Sequence, residues 1–251
     1  MREKKSMKYE KIAYFRFFGR LNDFFKDNEK VKIHRFTGFQ TVKDRIEALG
    51  VPHVEVSFIT LDGRPVDFDH MVEDGEFFCV YPEFQTIEIP LEWLVTPRYE
   101  GEPQFILDIH LGKLARFLRM LGFYAFFGEE DDAKLCKMAV KEKAILLSRD
   151  VGLLKRKELV FGYYVRNTDP KKQLVEVVKR FDLKRWMKPF TRCIECNVKF
   201  EEVPKEGVKD RVPPRVYKLF DEFVRCPNCG RVYWKGSHYD HMVDFIKKSL
   251  N

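Results

Sequence analysis

The chain lacks the long apolar runs that membrane spans and secretion signals require. No stretch of its 251 residues approaches the roughly 18 uninterrupted apolar residues of a spanning helix. The N-terminal segment Met1–Met7 is charged and has no apolar core of the kind found in signal peptides. We therefore expect a cytoplasmic protein without a transmembrane helix.

Two other features are scarce. No arrangement of Ser, His and Asp, or of Cys and His, stands out as a nucleophilic constellation, so the sequence gives no indication of covalent catalysis by a side chain. Uncharged amides are also rare, with four Gln and six Asn in a chain of which 34% is charged. That balance favours a thermophilic source.

Positive charge is present and unevenly distributed. Residues 1–90 hold 14 Lys and Arg against 16 Asp and Glu, whereas residues 91–251 hold 32 against 23. The net charge is therefore −2 in the first part and +9 in the second, which gives the total of +7. An excess of positive charge in the second part favours a polyanionic partner such as nucleic acid.

The first 90 or so residues have the order of a β-grasp module. Apolar alternation predicts a hairpin over residues 8–36, and Thr41 with Asp44 predicts a helix that ends at Gly50. Two further strands are predicted, at 54–60 and 75–82. Sulfur carriers and conjugation tags of this fold use a free C-terminal Gly-Gly, which is missing here, so the module has a docking, RNA-positioning or structural role. Residues 90–103 form a Pro-rich linker, and we expect few buried contacts across it.

The middle of the chain repeats an apolar run followed by a helical pattern. The runs at 104–107, 123–127 and 144–147 each end at or near a carboxylate: Asp108, then Asp131 or Asp132, then Asp150. Such alternation predicts a buried parallel sheet, whose strands end at one shared edge. Acids gathered there need a cation, and a divalent metal is the usual one.

Helix capping is the competing explanation for the acids. Asp132 and Asp150 each precede a helical pattern, and an Asp at that position commonly caps the helix. Because like charges at one edge are unfavourable without a cation, the metal site explains the set better than capping does. Asp169 could be a fourth acid of the site, but it precedes Pro170 and is better explained as a cap.

The first helix of this region, residues 111–121, carries two kinds of face. Leu111, Leu114, Leu118 and Leu121 recur at helical spacing and predict a buried face. Basic residues lie three apart on another face, at Lys113, Arg116 and Arg119. Lys113 and Arg116 either hold a phosphate near the metal site or are simply solvated, and for Arg119 a solvated position is favoured.

Two Cys-x-x-Cys pairs, Cys193/Cys196 and Cys226/Cys229, predict a metal site near the C-terminus. Two such pairs provide the four thiolates of a closed tetrahedral zinc site, which would be structural. Two disulfides are the alternative, and an expected cytosolic location argues against them. His238 and His241 could also bind zinc, although four thiolates suffice.

Aromatic and basic residues alternate after the second cysteine pair, from Arg231 to Tyr239. This mixture is typical of surfaces that stack bases and neutralise phosphates. Trp234, Lys235 and His238 are therefore candidates for RNA contact. For Tyr233, packing in a small core is the better explanation, and Trp234 could share that role.

These motifs resemble the Mut-seven C-terminal RNase family, which belongs to the wider group of PIN-like nucleases. The resemblance rests on the pattern from Asp108 to Phe123, on Asp131-Asp132, on Ile145–Asp150 and on the two cysteine segments. It implies a ubiquitin-like β-grasp domain over 7–90, a PIN-like three-layer α/β/α domain with a parallel sheet over 102–188, and a Cys₄ zinc ribbon over 189–251. The family pattern favours Asp132 over Asp131 as a ligand.

The predicted function is a ribonuclease that uses Mg²⁺ or Mn²⁺, with Zn²⁺ as a structural ion and RNA as the partner. The alternatives are a non-catalytic RNA-binding scaffold and a metal-dependent nucleotide phosphatase on the same fold. A protein partner of the β-grasp domain is also possible. The candidate catalytic acids are Asp108, Asp132 and Asp150, with Asp131 as a further ligand; the candidate substrate-binding residues are Lys113, Arg116, Arg149, Trp234, Lys235 and His238.

Overall fold

The computed structural model describes residues 9–250, without the side chains of His238, Met242, Ile246, Ser249 and Leu250. The described residues form two compact units. The first comprises the residues up to Tyr99 together with Asp150–Tyr164, and the second comprises Glu100–Arg149 and the residues from Val165 onward.

The first unit contains a five-stranded mixed sheet. The strands follow the order β2-β1-β5-β3-β4, with β1 parallel to β5 and the other pairs antiparallel. Helix α1 follows β2 in the chain, and this combination of sheet and helix is the predicted β-grasp arrangement. The elements are β1 Lys11–Phe17, β2 Lys32–Phe36, α1 Val42–Ala48, β3 Phe58–Leu61, β4 Arg64–Pro65 and β5 Phe77–Tyr81.

Helix α1 begins and ends where its sequence predicts. The Thr41 side chain accepts from the Asp44 N–H and the Asp44 carboxylate accepts from the Thr41 N–H, which is a complete capping box. Gly50 follows the helix with φ +110°, a conformation that a side chain would strain. Ile46 on the inner face is fully buried in the same core as Phe15 and Phe78.

The strand predicted over residues 54–60 is shorter than expected. His53–Glu55 form a 3₁₀ turn, and β3 begins only at Phe58. All three residues of the turn are buried, including the ionisable side chains of His53 and Glu55. Buried polar groups need partners, and these two find theirs outside the sheet.

His53 contacts Glu47, and Glu55 accepts from Arg20. Further partners lie in the segment 150–164, which contains α4 (Val151–Leu154) and β9 (Gly162–Tyr164). His53 Nε2 lies 2.9 Å from the Leu159 carbonyl oxygen, and the Tyr164 N–H donates to Glu55 Oε1 at 2.7 Å. Gly162 is packed so closely on Val54 that a Cβ at this glycine would lie 2.8 Å from Val54 Cγ2. The expectation of few buried contacts across the linker is therefore wrong.

Parallel strands form the centre of the second unit, as predicted. β6 (Phe105–Leu107) lies between β7 (Ala125–Phe126) and β8 (Ile145–Ser148), and both pairings are parallel. The helices α2 (Gly112–Met120), α3 (Asp132–Lys141) and α5 (Pro170–Arg180) belong to the same unit. Every residue of β6 is fully buried, which explains its uninterrupted apolar sequence.

The leucine face of the first helix is confirmed. Leu111 lies in a short 3₁₀ turn before α2, and Leu114 and Leu118 lie within the helix. These residues and Leu121 are at most 1% exposed. Their burial fixes the rotation of α2, and with it the positions of the basic residues between them.

The C-terminal part is a ribbon followed by a helix. β10 (Glu201–Val203), β11 (Phe223–Arg225) and β12 (Val232–Tyr233) form an antiparallel sheet over a small core of Val208, Val212 and Phe223. Helix α6 (Pro214–Leu219) lies between β10 and β11 in the chain, and α7 (Ser237–Leu250) follows β12. None of the described helices combines the length and apolarity needed to cross a membrane.

The predicted fold class is confirmed. The chain is mixed α/β, with an N-terminal β-grasp sheet, a parallel sheet and a C-terminal cluster of four cysteines in a ribbon. The predicted domain ranges 7–90, 102–188 and 189–251 remain a prediction.

Candidate active site and metal centre

Asp108 directly follows β6 and is held at the end of the parallel sheet. Its N–H donates to the Leu147 carbonyl at 3.1 Å, and its carboxylate accepts from the Ser148 hydroxyl at 2.8 Å and from the His110 N–H at 3.2 Å. The residue is 9% exposed. Among the described residues, no Lys or Arg forms an ion pair with it.

The strand register explains this geometry. Leu107 of β6 is paired with Leu147 of β8, so the next residues along the two parallel strands, Asp108 and Ser148, come together. Ser148 is fully buried, and sequence reasoning missed it as a site residue. The sequence did contain a signal for it: Ser148 is a polar residue at the end of an apolar strand, as Asp108 is.

The other candidate acids lie at helix starts. Asp131 caps α3, and its Oδ1 accepts from the Ala133 and Lys134 N–H groups; Asp132 is the first helical residue and is exposed. Asp150 caps α4 in the first unit through the N–H groups of Gly152 and Leu153. Asp169 caps α5, as predicted.

Arg149 is anchored to the backbone of the loop before α5. Its Nη1 donates to the carbonyl oxygens of Val165, Arg166 and Asn167 at 3.0, 2.6 and 2.7 Å. Since β8 ends at Ser148, this side chain connects the end of β8 to residues 165–167. It therefore fixes the path of that loop.

The basic residues of α2 differ in their surroundings. Lys113 is exposed, and Arg116 is about half exposed with Nη2 3.4 Å from Glu195 Oε2. Both can reach an anion in solution. The solvated position expected for Arg119 is wrong, because this residue is 4% exposed.

Arg119 connects α2 to the first cysteine knuckle. Its Nε donates to the Ala125 carbonyl at 2.7 Å, and its Nη1 donates to the Ile194 and Glu195 carbonyls at 2.9 Å each. Its guanidinium also lies 4.9 Å from the centre of the Phe127 ring. Burial lowers the pKa of Arg119, and the Glu195 carboxylate partly offsets this effect.

The four cysteines of the two pairs come together. Their Sγ atoms all lie within 4.8 Å of one another, and all four are free thiols. A tetrahedral zinc with bonds of about 2.3 Å requires its sulfurs to be a little under 4 Å apart, so the cluster could bind a metal such as zinc. In the part of the chain that the structure describes, the acidic residues form no comparable group of three ligand atoms.

Tyr233 acts on the electrostatics of this cluster. Burial raises the pKa of Cys193, but hydrogen bonds from the Tyr233 hydroxyl, at 3.3 Å, and from the Cys196 and Glu195 N–H groups outweigh it. The resulting pKa is about 7. Burial, together with the Cys193 sulfur, raises the pKa of Tyr233. Tyr233 therefore lies against the cysteine cluster, whereas Trp234 packs on the small core of the ribbon. The packing role of Tyr233 in that core remains a prediction.

The other aromatic and basic candidates lie near the ribbon. Trp234 is half-buried beside a large cavity, and the Lys235 Nζ lies 2.8 Å from Glu222 Oε2 on the surface. The side chain of His238 lies outside the described residues. Contact of these residues with RNA remains a prediction.

Comparison with known families agrees with this architecture. The model of the Mut7-C ubiquitin domain matches residues 10–88, and that of the Mut7-C RNAse domain matches residues 103–246, more than half of the chain. No curated protein and no solved structure gives a significant match. The chain therefore belongs to the Mut7-C RNAse domain family, with a Mut7-C ubiquitin domain at its N-terminus.

Proposed function

We propose that the protein is a ribonuclease that hydrolyses RNA phosphodiester bonds with the help of Mg²⁺ or Mn²⁺. Asp108, Asp132 and Asp150 hold the ion, with Asp131 as the alternative to Asp132. The observation that carries the proposal is the buried Asp108 carboxylate, which has no cationic side chain beside it among the described residues.

The residues suit such an ion. A carboxylate removed from water is costly unless a cation or a metal compensates its charge. Carboxylate oxygens are the ligands that Mg²⁺ and Mn²⁺ prefer. The Ser148 hydroxyl and the His110 N–H fix the orientation of the Asp108 carboxylate, as outer partners of metal ligands do.

The chemistry divides between the ion and the chain. When bound, the ion activates a water molecule and neutralises the charge that develops on the phosphate. Lys113 and Arg116 hold a phosphate of the substrate, and Arg149 keeps residues 165–167 in place. The four cysteines bind a structural Zn²⁺, which is consistent with a reducing compartment such as the cytoplasm.

A cleavage assay tests the proposal. The wild-type protein is incubated with a mixed pool of unstructured RNAs in Mn²⁺ or in EDTA, beside Asp108→Asn. We expect cleavage in Mn²⁺ by the wild type, none in EDTA and little by the variant. Turnover of nucleoside phosphates without RNA cleavage would instead indicate a nucleotide phosphatase.

A non-catalytic RNA-binding scaffold is the second candidate. It is favoured by the caps that Asp131 and Asp150 provide, and by the lack of a group of three acidic ligand atoms among the described residues. RNA binding without cleavage at any metal concentration would support it.

A further inference from the structure

A large aromatic cavity lies in the second unit. Its volume is about 860 Å³, within the range of ligand-binding pockets. Residues of α2, the ribbon and α7 line it, and all of them fall within the segment that matches the RNAse domain. The aromatic residues of its lining include Phe117, Phe190, Phe200, Trp234, Tyr239 and Phe245.

The rings are arranged in pairs that remain partly open to solvent. The ring centres of Phe190 and Tyr239 are 4.2 Å apart, and those of Phe117 and Phe245 are 6.3 Å apart. These four rings are half-buried rather than sealed in a core. Flat apolar surfaces are therefore available inside the cavity.

A smaller cavity of about 330 Å³ adjoins the first and supplies positive charge. Lys171 and Phe245 line both cavities, and Lys172 lines the smaller one. Lys171 Nζ lies 5.2 Å from the centre of the Phe245 ring. The Lys171 ammonium group thus lies where the two cavities meet, and that of Lys172 belongs to the smaller cavity.

The acid in the smaller cavity is already engaged by the backbone. The Glu176 carboxylate accepts from the Arg166 N–H at 2.8 Å and from the Asn167 N–H at 3.0 Å. It also accepts from the Asn167 side-chain amide at 2.6 Å. These bonds stabilise the Glu176 carboxylate, which keeps its negative charge. The two lysines outnumber this one acid, so the lining of the smaller cavity carries a net charge of +1.

A chain of contacts connects the smaller cavity to Asp108. Asp108 is hydrogen-bonded to Ser148, the next residue Arg149 donates to the Asn167 carbonyl, and Asn167 lines the smaller cavity. The cavities therefore belong to the same part of the second unit as the proposed acidic site.

We propose that the aromatic cavity binds unstacked bases of single-stranded RNA and that Lys171 and Lys172 bind the adjoining phosphates. The proposal rests on the proposed ribonuclease function and specifies its substrate as single-stranded. Stacking faces beside cations suit a single strand, because its bases are exposed and each is linked to a phosphate. An apolar protein segment would use the rings but would have no use for the lysines.

Binding can be measured apart from cleavage. The probe is a fluorescein-labelled, unstructured ten-nucleotide RNA, titrated in EDTA so that it stays intact. Phe245→Ala should weaken binding about five- to hundredfold, the range for loss of one stacked base, and Phe245→Tyr should restore it. Lys171→Gln should reduce the magnitude of the slope of log K against log salt concentration by about one, because one phosphate contact is lost.

Matched controls are available away from both cavities. Phe39→Ala removes a ring that is 86% exposed, and Lys134→Gln removes a charge on α3. Both should bind the probe as the wild type does. A probe with abasic sites should bind wild type and Phe245→Ala equally, because the ring then has no base to stack on.

The outcomes separate this proposal from the ribonuclease function. Asp108→Asn should bind RNA in EDTA like the wild type. If the wild type binds RNA but does not cleave it in Mn²⁺, the ribonuclease proposal is wrong and the base site remains. Equal affinity of correctly folded Phe245→Ala and wild type would overturn the base site. Binding of an apolar peptide that Phe245→Ala abolishes, with RNA affinity unchanged, would make the cavity a protein-docking site instead.

Discussion

The Asp108 carboxylate is a buried charge whose immediate partners are one hydroxyl and one N–H. Asp108→Asn removes that charge and keeps the size of the side chain. We expect RNA cleavage to fall by roughly a hundredfold or more, because a metal-centred electrostatic contribution is lost. The metal-free variant should be at least as stable as the wild type, since an uncompensated buried charge is gone. Cleavage rates in Mn²⁺ and melting temperatures in EDTA measure the two effects.

Asp169→Asn is the matched control for that substitution. Asp169 caps α5 through Oδ1, and Asn caps a helix about as well as Asp does. Its cleavage rate and melting temperature should stay close to those of the wild type. Equal loss of activity in both variants would mean that Asp108 has no special role.

Asp150 distinguishes metal binding from capping most sharply. Asp150→Asn keeps the oxygen that accepts from the Gly152 N–H, so capping of α4 should survive. If Asp150 also holds the ion, cleavage should fall by roughly a hundredfold while the melting temperature is maintained. Wild-type cleavage by this variant would leave Asp150 as a cap alone.

Cys193 should ionise at an unusually low pH for a thiol in the metal-free protein. Its pKa of about 7 is below the ordinary thiol value of 9.0, so the stability that its thiolate contributes is fully present above about pH 9 and is lost as the pH falls through 7. We expect the first thiolate absorbance at 240 nm to appear with a midpoint near pH 7. Tyr233→Phe should move that midpoint upward, because the hydroxyl bond to the sulfur is removed. The same midpoint in both proteins would contradict this account.

At the residue level, the sequence predicted side-chain positions that depend on spacing along the chain. It was less successful for side chains whose position depends on tertiary packing. The position of Asp108 at a strand end, the cap at Asp169 and the meeting of the four cysteines all depend on spacing along the chain. Arg119 was expected in solvent, and its burial depends on carbonyl groups of residues 194 and 195. A helical wheel contains no information about such distant partners.

Helix α2 and the first cysteine knuckle are joined by Arg119, which allows a paired test on one helix. Arg119→Met keeps the apolar stem but leaves three carbonyl groups without their donor. We expect a loss of about 1.5–3 kcal/mol or more in the free energy of unfolding, and easier removal of zinc by chelators. Arg116→Met, one turn away and about half exposed, should change stability by less than about 1 kcal/mol.

Denaturant melts and zinc content per chain measure this difference. The wild type should contain one zinc, and Arg119→Met should release it at a lower chelator concentration than Arg116→Met does. Equal behaviour of the two variants would mean that the knuckle does not depend on its attachment to α2.

Among the elements, those with strong local signals were predicted correctly. The capping box of α1 and the leucine face of α2 are features of consecutive residues. The strand expected at 54–60 was too long, because His53–Glu55 turn to place two ionisable side chains against residues 159 and 164. All residues from 51 to 60 are buried, and the turn contacts residues that are distant in the chain. The local sequence pattern contains no information about those contacts.

On the scale of the whole chain, the β-grasp sheet is more than an appended module. The first unit joins it to residues 150–164, so the N-terminal part supports the segment that begins with Asp150. Besides His53 and Glu55, the pairs Phe24–Tyr164 and Tyr99–Phe161 make ring contacts at 5.2 and 5.0 Å. The Pro-rich composition of residues 90–103 predicted that the N-terminal module is independent of the rest of the chain. That prediction failed because contacts between distant segments cannot be deduced from composition.

Removal of the N-terminal part should therefore loosen residues 150–164. A chain that begins at Glu100 loses the bond from Tyr164 to Glu55, the bond between His53 and Leu159, and the packing of Gly162 on Val54. Loss of one such buried bond to a charged group is worth about 1.5–3 kcal/mol, so trypsin should cut at Lys155–Lys157 about tenfold faster or more. The rate at Lys137 and Lys141 on α3 is the internal control.

Glu55→Ala in the full chain should reproduce part of the effect, because it removes the carboxylate that accepts from the Tyr164 N–H and from Arg20 Nε. If the shortened chain resists cleavage at 155–157 as the full chain does, the segment is ordered without the β-grasp sheet. If it is cut faster and also needs more Mn²⁺ for half-maximal RNA cleavage, the sheet contributes to holding Asp150 in place.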